Sequence, residues 1–182
     1  MVTTSPLFPE AIPYLQLAEE LFHQPHAQDA LLSTVGKLPA LDHPLLDYLA
    51  QQVEKAALTK PAYSWFLMAV ADAAAQQRDD LLLQALAAWR LAWAANAWVQ
   101  PQRVETAVLR AHSLFTQLNE PGWLAACDWQ RNALPWTRPN FTQAATELEE
   151  ALLPLKQANL SAFVPDCQLA LAYAYLLIGK FE

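Results

Sequence analysis

Residues 79–118 read DDLLLQALAAWRLAWAANAWVQPQRVETAVLRAHSLFTQL, and this stretch of forty residues decides the fold. Its apolar residues recur at the three- and four-residue spacing of an α-helix. Pro101 divides the stretch, and proline is well tolerated at the first position of a helix because its missing N–H has no partner there. The stretch therefore predicts two helices joined by a short turn.

The same pattern returns when the chain is compared with itself at a displacement of forty residues. Columns of equivalent positions then keep one kind of residue, which is typical of stacked structural repeats. The columns include Ala87, Cys127 and Cys167; Leu49, Trp89, Trp129 and Leu169; and Asp79, Asn119 and Asn159. We predict helix pairs at 39–78, 79–118 and 119–158, a truncated pair at 159–182, and N-terminal capping helices in residues 1–38.

Helical periodicity extends over the rest of the chain, so the predicted fold class is all-α. The predicted helices are 10–24, 27–35, 44–58, 61–77, 80–98, 101–118, 123–134, 141–153 and 165–178. Gly36 is expected to close the second of these helices. Pro154 is expected to end or kink its helix, because proline lacks the N–H donor that the helix interior uses.

Composition excludes several other classes of protein. Three glycines in 182 residues leave no glycine-rich phosphate loop. A net charge of −7 without a run of Lys or Arg lacks the electrostatic signature of a nucleic-acid-binding protein. No long continuous apolar stretch and no signal peptide are present in the sequence, so we expect a cytoplasmic protein without a membrane partner.

Catalytic and metal chemistry have no recognisable motif in this sequence. Cys127 and Cys167 share a column with an alanine, which favours compact buried thiols over nucleophiles. Asp79 and Asp80 are adjacent, so on a helix they would point about 100° apart and would not converge on one substrate. A cap for the following helix is the better interpretation of this acidic pair. We expect no metal site, no cofactor and no enzymatic activity in this segment.

The C-terminal segment CQLALAYAYLLIGKFE, residues 167–182, resembles the first helix and turn of a tetratricopeptide repeat. Leu171, Ala172, Tyr175, Gly179 and Phe181 fall at the spacings of that family's Leu, Gly/Ala, Tyr, Gly and Tyr/Phe. The family repeat has about 34 residues and this one has forty. The resemblance implies an α-solenoid, a right-handed superhelix of antiparallel helix pairs.

In that family, the first helix of each pair lines a concave groove that holds a peptide or a helix. Carried onto this chain, the resemblance implies an aromatic surface for partner binding at Trp89, Trp93, Asn96, Trp129, Trp136 and Tyr173. Indole rings supply contact area and one hydrogen-bond donor each, which suits recognition. The alternative, that these rings pack between the first helices of neighbouring pairs, explains their positions equally well. We expect core behaviour from Trp89 and Trp129, and binding from Trp93 and Trp136.

The predicted function is a protein–protein interaction module, a scaffold or sensor arm that binds a peptide or protein segment as the N-terminal part of a larger protein. Two alternatives stay open. One is a regulatory arm of a multidomain bacterial signalling enzyme or caspase-like peptidase. The other is a small-molecule sensor, in which the same aromatic residues enclose a pocket. The truncated last pair also predicts self-association through the C-terminal helix, whose apolar flank would be uncovered.

Overall fold

The computed structural model describes residues 8–24 and 33–179, and within them the chain is helical and contains no strand. The predicted all-α class is therefore confirmed. The α-helices are α1 (Ile12–His23), α2 (His43–Ala57), α3 (Pro61–Ala75), α4 (Leu81–Ala97), α5 (Pro101–Leu118), α6 (Pro121–Asn132), α7 (Phe141–Gln157) and α8 (Val164–Ile178). Short 3₁₀ turns lie at Pro9–Ala11, Val35–Lys37, Pro135–Thr137 and Ser161–Phe163.

Three of these helices begin at a side chain that accepts a hydrogen bond from a backbone N–H in the first turn. Such a cap satisfies one of the donors that a helix start leaves without an intrahelical partner. The capping pairs are Asp42 with Leu45 (2.9 Å), Asp80 with Leu83 (2.9 Å) and Asn140 with Gln143 (3.0 Å). The capping role predicted for the acidic pair at 79–80 is confirmed at Asp80.

Several helices end at a residue in the left-handed backbone conformation. These residues are Val99 (φ 55°), Asn119 (φ 55°), Asn159 (φ 58°) and Gly179 (φ 76°). After each of the first three, the next N–H bonds to a carbonyl five residues earlier, at 3.0–3.1 Å, as in a Schellman motif. Asn119 and Asn159 are forty residues apart, and Val99 and Gly179 are eighty residues apart. The left-handed backbone conformation therefore recurs in the same forty-residue register as the sequence.

Each α-helix from α3 onward packs against the α-helix that precedes it in the chain. Contacts also join α2 to α4 and α4 to α6, whereas α1 packs on α3. The column of small residues lies inside these contacts, because Ala87, Cys127 and Cys167 are all fully buried. Their predicted burial is confirmed. Large apolar side chains on the inner faces complete one continuous core.

The helix end predicted at Pro154 is wrong. Pro154 does not end α7, which continues to Gln157. The carbonyl of Pro154 still accepts a hydrogen bond from Ala158 at 3.0 Å, and Leu155 is fully buried, so core packing holds the last turn in place. Near the N-terminus, the predicted helix 27–35 lies mostly outside the described residues, and Val35 begins a 3₁₀ turn that includes Gly36.

Helix α8 is buried along one side only. The exposed fractions are 57% for Leu169, 44% for Tyr173, 51% for Leu176 and 41% for Leu177. In the described part of the chain, one segment, Ser161–Ile178, is long and apolar enough to cross a membrane by length and composition, with a mean hydropathy of 1.4 and 22% of it buried. Core helices of soluble proteins pass the same test. The exposed side of α8 is therefore an apolar surface.

Candidate functional site

Helices α4 and α6 are joined by side chains of α4 that reach the backbone of α6. Trp89 Nε1 donates a hydrogen bond to the carbonyl of Ala126 at 3.2 Å. Two turns further along α4 and one turn further along α6, Asn96 Nδ2 donates to the carbonyl of Gln130 at 2.8 Å. These two bonds set the spacing of α4 and α6 and fix how Trp89 is oriented.

Around Trp89, aromatic rings from four parts of the chain form one cluster. Trp89 lies edge-on to Trp123 with ring centroids 5.4 Å apart, and its centroid is 5.0 Å from that of Phe163. Phe163 stacks on Trp129 at 5.3 Å, and Trp123 stacks on Phe115 at 5.2 Å. Contacts of this kind add about 0.5–1.5 kcal/mol each beyond the burial of their surface. The cluster therefore ties α4, α6 and the turn before α8 together.

A pocket of about 140 Å³ opens beside this cluster. Its walls come from α2, α3, α4, the start of α6 and the turn before α8, and they include Glu54, Trp89, Arg90, Trp93, Trp123 and Phe163. An apolar cavity of about 150 Å³ holds a molecule of the size of benzene, whereas pockets for cofactors and drug-sized ligands have about 300–1,000 Å³. The pocket therefore has room for one side chain of a partner.

Charged groups line one side of this pocket. Arg90 forms an ion pair with Asp47 of α2 through Nη2. Its other terminal nitrogen, Nη1, is buried and has no acceptor among the described residues. Glu54 is exposed and forms no ion pair within that part of the chain. Of the two charged residues in the pocket wall, Arg90 is thus paired with Asp47, which lies outside the wall, and Glu54 has no ion pair in the described chain.

The structure separates the predicted partner-binding residues into groups. Trp89 and Trp129 are only 5% and 4% exposed, which confirms the expectation that they behave as core. Trp93 is partly buried in the wall of the pocket. Trp136 and Tyr173 are 51% and 44% exposed and meet edge-on, with ring centroids 5.8 Å apart. Their assignment to partner binding, like that of Asn96, stays a prediction.

Trp123 and Phe163 are pocket residues that the sequence reasoning missed. They occupy one column of the forty-residue register, together with Leu83 of the preceding pair. A column that is large and apolar in three successive pairs was a usable signal. Phe163 stands before Pro165, where the last predicted helix begins, so no predicted helix contained it.

The two thiols are poorly suited to chemistry. Burial raises the pKa of Cys127 to about 12 and that of Cys167 to about 11. The thiolate is the reactive form of cysteine, so both residues are inert in the folded chain. In the described residues, no group of three His, Cys, Asp or Glu side chains is placed to hold a metal ion.

A polar network holds α6 against α7. Glu147 accepts hydrogen bonds from Arg131 at 2.8 Å and from Asn132 at 2.7 Å. Burial by itself raises the pKa of Glu147, but these hydrogen bonds, together with one from Gln143, outweigh it and lower the pKa. Arg131 also forms an ion pair with Asp128 at 3.6 Å, so the network serves as an interhelical tie.

The pocket and the exposed Trp136–Tyr173 pair thus hold the predicted partner-binding residues Trp93, Trp136 and Tyr173. No protein-family model matches the chain, and no curated protein or solved structure shows detectable similarity to it.

Proposed function

We propose that this chain is a protein–protein interaction module, an α-solenoid of tetratricopeptide-like helix pairs that binds an extended segment of another protein. The binding face is formed by α2, α4 and α6, the first helices of their pairs. In support, α2 contacts α4 and α4 contacts α6, so these three helices lie side by side. The observation that carries the proposal is the aromatic pocket between them, with Trp93 in its wall.

A peptide segment fits this pocket better than a small molecule does. The space of about 140 Å³ suits one side chain and is below the range of cofactor pockets. Arg90 Nη1 is a buried donor without an acceptor in the described chain, and a peptide carbonyl would satisfy it if the guanidinium turned toward the pocket. The small-molecule sensor has less support for this reason. A regulatory arm of a signalling enzyme or peptidase would use the same surface.

Catalysis has no part in the proposal. Both cysteine thiols are held in the neutral form by burial, so neither serves as a nucleophile. His23 and His43 each contact a carboxylate, of Glu19 at 3.1 Å and of Asp80 at 3.2 Å, and none of these four groups lines the aromatic pocket. We place any enzymatic activity outside this segment.

The test is a selection of binding peptides from a random displayed library, with the wild-type chain as bait and the Trp93→Ala variant as a parallel bait. Peptides that bind the wild type should bind Trp93→Ala more weakly by about 2 kcal/mol, or roughly thirtyfold in Kd, as expected for an aromatic anchor in an interface. Trp136→Ala, measured in the same way, shows whether the surface extends to the Trp136–Tyr173 pair.

Leu109→Ala is the matched control, because Leu109 is 54% exposed on α5 and does not line the pocket. Trp93→Leu is measured beside Trp93→Ala, so that a loss of folding in one variant does not decide the outcome. Equal binding by the wild type and by folded Trp93 variants would exclude this face as the recognition surface.

We also propose that two copies of the chain associate through the exposed side of α8. Leu169, Tyr173 and Leu176 form an apolar strip there, and such strips associate when they exceed a few hundred Å². Sedimentation velocity should show a dimer whose population rises with concentration. Changing Leu169 and Tyr173 together to lysine should give a monomer with an unchanged helical circular dichroism spectrum. A wild-type monomer at every concentration would contradict the proposal.

A further inference from the structure

We propose that the pocket beside Trp93 receives a cationic side chain, a lysine or an arginine, from the bound segment, with Glu54 as its counter-charge. This inference rests on the proposed function, since it specifies the chemistry of the residue that the same pocket accepts. It draws on the rings of the pocket, on the charges at its rim and on the buried donor of Arg90.

The rings give the pocket a surface that attracts cations. Trp89, Trp93, Trp123 and Phe163 all line it, and tryptophan is the side chain whose negative ring face holds a cation best. Two of these indoles, those of Trp93 and Trp123, are partly exposed and so are available to a partner. The chain already contains one such contact elsewhere, since the guanidinium of Arg103 lies 3.8 Å above the Trp65 ring.

Charge at the rim favours the same occupant. Glu54 is exposed at the pocket and has no ion pair in the described part of the chain. Arg90 is paired with Asp47 outside the pocket wall, so Glu54 is the charged side chain of the wall that has no described partner. The whole chain adds to this bias, with 18 acidic and 11 basic residues. An acidic side chain would be repelled here, and an alkyl side chain would leave the Glu54 carboxylate without a partner.

Arg90 does not oppose the entry of a cation. The positive charge of Arg90 is balanced by Asp47. Its unpaired nitrogen, Nη1, is a hydrogen-bond donor that needs an acceptor. The backbone carbonyl of a bound peptide is such an acceptor. If the Arg90 guanidinium turns toward the pocket, one residue of the peptide places its cationic side chain among the rings and its carbonyl on Nη1.

The experiment compares versions of one peptide obtained by the selection against the wild-type chain. Its basic residue is replaced by norleucine, which keeps an alkyl chain like that of lysine and removes the charge, and then by glutamate. Fluorescence anisotropy gives Kd for each peptide. We expect norleucine to weaken binding about tenfold, as lost cation–π and ion-pair contacts of about 1.4 kcal/mol imply, and glutamate to abolish it.

The chain variant Glu54→Gln identifies the counter-charge. It should weaken the lysine peptide several-fold and leave the norleucine peptide unchanged, because the two substitutions remove the same interaction. Glu149→Gln is the control, since Glu149 is exposed on α7 and loses the same charge away from the pocket. Higher salt should weaken the lysine peptide more than the norleucine peptide.

The outcomes separate the two proposals. If peptides are recovered that need Trp93 but whose essential residue is apolar or acidic, the cationic ligand is wrong and the interaction module stands. Equal binding of the lysine and norleucine peptides would also contradict the cationic ligand and leave the interaction module standing. Equal effects of the Glu54 and Glu149 variants would do the same. If no peptide distinguishes the wild type from the Trp93 variants, the proposed function fails and this inference fails with it.

Discussion

Trp89 on α4 and Leu169 on α8 hold the same position two repeats apart, yet the first is 5% exposed and the second is 57% exposed. Both helices are apolar. Helix α4 has α2 on one side and α6 on the other, whereas the equivalent flank of α8 has no described neighbour. The comparison teaches that burial in this fold is supplied by the next helix pair and not by the helix that carries the residue.

The largest effect that tests this comparison is the removal of the Trp89 side chain. Trp89→Ala should lower the free energy of unfolding by about 3–5 kcal/mol, because it empties the centre of the aromatic cluster and removes the bond to Ala126. At concentrations where the chain is monomeric, Leu169→Ala should change it by less than about 0.5 kcal/mol, as for an exposed site. Urea denaturation of both variants gives the two values. Similar losses would show that α8 is as well covered as α4.

A smaller effect is expected where α6 begins. A Cβ on Gly122 would lie 2.0 Å from the Cβ of Ala158, so the Gly122→Ala variant must shift the contact between α6 and the end of α7. We expect a loss of about 1–3 kcal/mol in the free energy of unfolding. At the equivalent position before α8, Ala162 is exposed, and Ala162→Leu should be nearly neutral. A neutral Gly122→Ala would mean that this contact is loosely packed.

The smallest expected effect is a gain in stability at the end of α4. Val99 and Gly179 occupy the same column and both adopt positive φ, which costs a β-branched residue about 1–2 kcal/mol and glycine nothing. Val99→Gly should raise the free energy of unfolding by about 1 kcal/mol after the greater entropy of glycine in the unfolded chain is included. Asn119→Gly is the control, and it should raise the free energy of unfolding by less, because asparagine tolerates this conformation. A loss of stability at Val99 would show that its side chain packs usefully.

Much of the helical layout could be predicted from the sequence, because proline and capping residues mark most helix starts. Pro61, Pro101 and Phe141 begin their helices at the predicted residue, and Asp80 caps α4 as expected. The end of α7 was predicted wrongly. The local rule for proline competes there with the burial of Leu155, and the burial energy of a core residue is a tertiary term that no local pattern reveals.

The candidate site was less predictable than the helices. The sequence register correctly identified Trp89 and Trp129 as core, because they share one column that lies beside the column of small buried residues. The pocket itself depends on Phe163, which lies in a 3₁₀ turn and approaches Trp89 from a different helix pair. A contact between residues this far apart in the chain depends on how three pairs pack, which the periodicity of any one helix does not encode.

The packing of every described helix from α3 onward against its predecessor also bears on how the chain folds. Contacts between neighbours close short loops, and proteins dominated by such contacts fold in microseconds to milliseconds. Folding can then start in the α4–α5 region and spread outward one helix at a time. Helix α8, with its open flank, would order last and exchange its amide hydrogens first.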